Sequence, residues 1–160
     1  MYTSAHISNC QRYRYSLERV WDNSKQMLTW VMLNPSTADW EQDDPTIRRC
    51  MGFARSSDYG GIIVVNLFAL RATNPDDMKA ALDPVGPENM AKLAETLGAS
   101  HRVVAAWGTH GGYRDQDQKF IDIARSMNIK VYCLGVTKEG FPRHPLYVKA
   151  DQPFEELLYL

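Results

Sequence analysis

The sequence predicts an α/β fold: a three-layer α/β/α sandwich around a mostly parallel central sheet, with an antiparallel hairpin near the N-terminus. Two observations predict it. Short apolar runs at 27–33, 62–65, 101–107 and 130–134 alternate with stretches whose apolar residues recur at helical spacing. Such alternation of strand and helix builds parallel sheets. Each run also ends in polar or glycine-rich residues, at Asn34, Asn66, Gly108 and Gly135. Parallel strands bring those ends to one edge, where open α/β sheets bind their ligands.

In chain order, Tyr13, Tyr15 and Leu17 alternate with Arg12, Arg14 and Ser16, the pattern of a half-exposed strand. Asp22-Asn23-Ser24-Lys25 is turn chemistry, so 13–20 and 27–33 are expected to pair as a β-hairpin, the second strand central because it is apolar on both faces. Pro35 cannot donate to a sheet ladder, and it biases Asn34 towards extended backbone, so the strand stops there. Asp44-Pro45-Thr46 reads as a helix start, with Asp44 as N-cap and Pro45 first in the helix. This helix turns Ile47, Cys50, Met51, Phe53 and Ala54 inward and Arg48, Arg49 and Arg55 outward, stopping before Gly60-Gly61. The β-branched run 62–65 is a buried parallel strand. A loop over 71–75 leads to a short helix at 76–82, which Asp83-Pro84-Val85-Gly86-Pro87 breaks. Helices at 88–97 and 115–127 flank the strand 101–107, the strand 130–134 follows, and the tail 153–160 is expected to be a short amphipathic helix. No repeat or linker interrupts the chain, which reads as one domain over 1–160.

Charge and composition exclude several classes. Eighteen Lys and Arg against 19 Asp and Glu leave a formal net charge of −1, so any contact with a phosphate backbone must come from a local basic patch. Cys10, Cys50 and Cys133 are scattered and odd in number, which fits buried thiols in a reducing cytosol. The start lacks the regions of a signal peptide, and no apolar run approaches the ~20 residues of a membrane span. The expectation is a cytoplasmic protein with no membrane partner, and no oligomeric state follows from the pattern. Metal-ligand spacing and the phosphate-cradling glycine motifs are missing, so neither a metal nor a cofactor is expected, and the missing G-x-S-x-G elbow weighs against an α/β-hydrolase.

The strand-end turn Asn34-Pro35-Ser36-Thr37, followed by Asp39, Glu41, Asp43 and Asp44, is read as the floor of a site. Asn34 and Asn66 each offer a donor and an acceptor, suited to a base edge or a water, although either can simply close its own turn. The carboxylates that follow the turn can include a general base or a metal-binding pair, or form only a solvated acidic loop with Asp44 as the helix cap; Asp39, nearest the turn, is the one kept as a catalytic candidate. His144 can donate to a developing oxyanion or act as an acid. Gly108 opens a glycine-rich turn containing His110. Arg71, Arg143 and Lys149, with Trp40, Phe68 and Tyr147 close in sequence, would make a basic and aromatic rim for phosphate contact and base stacking.

The segments Leu33–Asp39, Asp44–Arg49, Asn66–Arg71, Ala106–Gly108 and His144–Tyr147 together resemble a bacterial and phage family, domain of unknown function 1643, over nearly the whole chain. The order of motifs is also similar to the uracil-DNA glycosylase superfamily. Leu33-Asn34-Pro35 resembles its water-handling turn, Asn66 with Arg71 and Pro75 its base-recognition loop, and His144-Pro145-Leu146 its late histidine loop. The resemblance implies a uracil-DNA-glycosylase-like sandwich in which Asn34 or Asp39 positions water and Asn66 recognises the base. It further implies that His144 stabilises the departing base anion and that Leu146 or Tyr147 is the wedge.

The expected function is recognition of a nucleobase or nucleotide, with N-glycosidic bond cleavage as the reaction and nucleic acid or a nucleotide as the partner. The base would be held out of its stack by Asn66 with Phe68 or Trp40, and His144 would contribute roughly 3–4 kcal/mol. Pro35, Ser36, Gly108 and Arg143 complete the expected binding set. Two alternatives come from other classes: a non-catalytic binder of a nucleotide or modified base, and a phage or mobile-element accessory protein acting through a protein partner.

Overall fold

A computed structural model describes residues 1–159. Its centre is one seven-stranded sheet in the order β1-β2-β4-β3-β5-β6-β7. These strands are β1 (Tyr2–Ile7), β2 (Arg14–Val20), β3 (Met27–Met32), β4 (Gly61–Asn66), β5 (Arg102–Ala105), β6 (Val131–Cys133) and β7 (Glu155–Glu156). The four central strands β4, β3, β5 and β6 run parallel. The flanking pairs β1–β2, β2–β4 and β6–β7 are antiparallel. The sheet is therefore mixed, with a parallel heart, rather than mostly parallel.

Helices cover both faces. On one, α1 (Pro45–Ser56) packs Ile47, Cys50, Phe53 and Ala54 against Leu28, Trp30, Ile62 and Val64. On the other, α2 (Pro75–Ala80), α3 (Asn89–Ala99) and α4 (Gln116–Ser126) contribute Met78, Leu93, Leu97, Phe120 and Ile121, packed against Val31, Val65, Val103 and Trp107. The α1 start follows the sequence signal: Asp44 Oδ1 accepts from the Ile47 amide at 2.8 Å, and Pro45 occupies the first turn, where its missing N–H costs nothing.

Three expectations at the chain's edges are corrected. Strands 13–20 and 27–33 do not form a hairpin, because β4 lies between β2 and β3. The hairpin is instead β1 with β2. The β-branched β4 satisfies ladders on both sides, an outcome that adjacency along the chain does not reveal. The tail makes the short edge strand β7 rather than a helix, and Leu160 lies outside the described residues. Cys50 and Cys133 are buried thiols, whereas Cys10 is exposed in the β1–β2 turn.

A fourth correction bears on function. Strict alternation would put Arg14 opposite Leu17 and in water. Instead β2 carries a bulge: His6 pairs with Ser16 but Ile7 pairs with Arg14, leaving Tyr15 extra. One added residue reverses the facing of everything beyond it. Arg14 therefore joins Leu17 on the α1 side and is only 2 % exposed.

Candidate functional site

The outgoing ends of β3, β4, β5 and β6 share one edge, and a cavity of about 520 Å³ opens there. The parallel strands run in the order β4-β3-β5-β6, so the connection out of β3 runs one way, to β4, and the connection out of β5 runs the other way, to β6. The crevice beyond such a reversal is the usual ligand position in open α/β sheets. Each strand end supplies wall: Asn34, Pro35 and Ser36 after β3, Asn66 at the end of β4, Gly108 after β5, and Arg143 and His144 after β6. Leu146 and Tyr147 line the mouth, Tyr147 being 79 % exposed. Arg14 enters from β2, and Asp44 and Thr46 from the start of α1.

Asn66 is 1 % exposed, yet neither its Oδ1 nor its Nδ2 has a hydrogen-bond partner in the protein. Its main chain is tightly held: the Asn66 carbonyl accepts from Asn89 Nδ2 at 2.9 Å, and the next carbonyl, of Leu67, accepts from both Asn89 and Gln116. The amide is thus fixed at its root and uncommitted at its tip. Leaving a buried polar group unpaired costs about 1–3 kcal/mol.

His144 is half-buried. Its Nδ1 accepts from the Leu146 amide at 3.2 Å, which assigns the proton of the neutral ring to Nε2 and makes that nitrogen a donor. Burial lowers the His144 pKa, and the Asp44 carboxylate opposes this. The loop that carries it is fastened to α1 by Arg49, whose guanidinium donates to the carbonyls of Pro145 (3.1 Å) and Val148. Gly108, at φ 75°, holds a backbone conformation that favours glycine, and its amide donates to Pro142, joining the β5 and β6 loops.

Asn34 is on the wall, but its Nδ2 is occupied by the carbonyls of Ala72 (2.8 Å), Pro35 and Leu70. It ties the β3 loop to the β4 loop. Asp39 is not at the cavity. Its carboxylate accepts from the Glu41 and Gln42 amides, which holds its pKa below the usual carboxylate range. The reason is Arg19, 1 % exposed, which grips this loop through Asp43 Oδ1 at 2.8 Å and the carbonyls of Asp39 and Gln42. That grip turns Asp39 aside and leaves Asp44 as the carboxylate on the cavity wall.

Three other expected binding residues are also elsewhere. Phe68 is fully buried in the α3–α4 core beside Tyr113. Trp40 is 50 % exposed and not part of the wall. Arg71 donates to the Gln11 carbonyl at 3.3 Å. Of the expected basic and aromatic rim, Arg143 and Tyr147 line the cavity, while Lys149 lines a shallower neighbouring hollow. Trp107 is a wall aromatic that its sequence does not single out, because it reads as the last core residue of a strand. Thr46 and Arg14 carry no local signal of a site either, the first reading as a helix residue and the second as an outward strand residue. Among the described residues no three His, Cys, Asp or Glu side chains gather as a metal ion requires, and no helix is long and apolar enough to cross a membrane.

A family model described as Protein of unknown function (DUF1643) matches residues 14–146. No curated protein and no solved structure matches this chain.

Proposed function

This chain belongs to the DUF1643 family, and from the walls of its cavity we propose that it recognises a nucleobase or nucleotide and cleaves the N-glycosidic bond to the base. One observation carries the reading: the buried Asn66 amide presents an unpaired acceptor beside an unpaired donor to a cavity sized for a small molecule. A planar ring with an adjacent N–H and carbonyl, or N–H and ring nitrogen, satisfies both at once. The resemblance of the motif order to that of the uracil-DNA glycosylase superfamily supports the same assignment, as does the α/β architecture with its pocket at the strand ends.

The chemistry follows from the remaining groups. Water adds to the sugar carbon as the bond to the base nitrogen breaks, and the bonding pair leaves with the base. His144 Nε2–H donates to the oxygen or nitrogen on which that charge collects, without itself needing a charge. Asp44 spends Oδ1 on capping α1, which leaves Oδ2 free of that duty to accept the proton of the attacking water. That proton returns to the departed base, so the step is hydrolytic and redox-neutral. Tyr147 at the mouth offers a ring for stacking.

A second reading has a specific observation behind it. Asp39 and the Asn34 amide nitrogen, two groups that could handle water, are consumed by the fold, which favours a binder that holds a base without turnover. Release of free base from nucleosides, nucleotides and base-containing oligonucleotides, measured beside ligand-induced rise in melting temperature, separates the two. Binding with no release from any of them leaves the second reading; neither binding nor release removes both.

A further inference from the structure

β2 buries two arginines on one face of the sheet, and they are used differently. Arg19 is surrounded by acceptors: Asp43, and the carbonyls of Glu18, Asp39 and Gln42. Arg14, five residues earlier, donates one hydrogen bond, from Nη1 to the Ala38 carbonyl at 2.9 Å. Its Nε has no partner although it is buried. Among the described residues no carboxylate lies within ion-pair distance of Arg14. The nearby Cys50 thiol stays neutral, since burial pushes its pKa up. Arg14 itself is lowered only to about 10, so it is charged at neutral pH.

A buried cation with no carboxylate in contact is costly even though the Asp44 charge nearby favours it, and guanidinium is the side chain best shaped to take two oxygens of a phosphate or carboxylate. Arg14 lines the same cavity as Asn66. The wall carries Arg14 and Arg143 as cations against one carboxylate, Asp44, so an anion is favoured there. Because Arg14 is 2 % exposed, its anion must come in through the cavity with the rest of the ligand.

We propose that Arg14 is the phosphate-binding residue of this cavity and that the ligand is a free nucleoside monophosphate rather than a base within a nucleic-acid strand. The inference rests on the base-recognition reading above for the nucleoside half of the ligand, but its anion half stands on Arg14 alone. A strand would bring many phosphates to the surface outside, where a protein of net charge −1 offers little to neutralise them. A mononucleotide brings one terminal phosphate, able to reach a guanidinium inside.

The test is calorimetric titration of the full chain and of its Arg14→Met and Arg14→Lys variants with nucleosides, their 5′-monophosphates, inorganic phosphate and a short single-stranded oligonucleotide. Wild-type protein is expected to prefer a monophosphate over its nucleoside by about 10- to 100-fold, the range for a charge-assisted hydrogen-bonded contact. Arg14→Met should lose that preference and keep nucleoside affinity, and Arg14→Lys should retain part of it. Inorganic phosphate binding that Arg14→Met abolishes, with no nucleoside binding, supports the anion site while sinking the base reading. Equal affinity for nucleoside and monophosphate overturns the Arg14 assignment and leaves the base reading intact. Tighter, Arg14-dependent binding of the oligonucleotide overturns the free-nucleotide identity.

Discussion

Replacing Asn66 by leucine exchanges a buried amide for an apolar group of similar shape at a position 1 % exposed. Neither amide atom has a protein partner, so no hydrogen bond is lost. The main-chain contacts to Asn89 and β3 are untouched by the change. Relieving buried, unpaired polar groups is worth about 1–3 kcal/mol, with the lower end applying if cavity water serves them in the free protein. For a chain of this length that corresponds to a rise of roughly 2–12 °C in melting temperature. At the same time the variant should no longer bind or turn over a base, the signature of a group kept for function at the expense of stability. Thermal and urea denaturation give the first quantity, and ligand titration the second. An Asn66→Leu protein that is less stable than wild type by a kilocalorie or more, with unchanged ligand affinity, would show the amide to be part of the scaffold and refute the argument.

His144→Ala should keep the fold and lower kcat by about 10²–10³-fold, as loss of an oxyanion donor does, and undiminished turnover there would remove His144 from the mechanism. Because the folded-state pKa of His144 is lowered, the native protein binds fewer protons than the unfolded chain just below pH ~6.5. Stability should therefore decline as pH falls from that value towards the depressed folded pKa and level off beneath it, a step that His144→Gln abolishes in denaturation curves taken across pH. Asp44→Ala should cost about 1 kcal/mol through loss of the α1 cap, whereas Asp44→Asn keeps the cap. Turnover lost in both, with stability lost only in the first, assigns the free carboxylate oxygen to water handling. Arg19→Met should destabilise by about 2–3 kcal/mol, since it strands several acceptors, while Arg14→Met is close to neutral or stabilising; comparable losses in equilibrium unfolding would erase the distinction drawn between the two. Trp40→Ala, at a residue that is not part of the cavity wall, should leave ligand affinity unchanged in the same titrations.

Strands and helices were legible where the signal is local. Apolar runs gave β3, β4, β5 and β6, and Asp44-Pro45 gave the start of α1 to the residue. Pairing was not, because which strand lies beside β2 depends on β4, more than forty residues on, and a turn such as Asp22–Lys25 looks the same whether or not its strands stay together. The site divided along the same line. Asn34, Asn66, Gly108 and His144 stand at strand ends, and parallel topology alone brings strand ends to one rim. Arg14 was hidden by a single extra residue in β2. Asp39 and Asp44 were indistinguishable as letters, and the long-range grip of Arg19 decides which of them faces the cavity. Phe68 follows its strand so closely that the core claimed it.

The double anchorage of the Asn66–Leu67 carbonyls by Asn89 and Gln116 has a consequence for how this protein would fail. Both anchors come from the helical layer on the far side of the sheet, so the aim of the reading amide is set from behind. Lesions in that rear layer would blur discrimination between similar guests while every residue touching the guest remained intact. A screen confined to the cavity wall would overlook them.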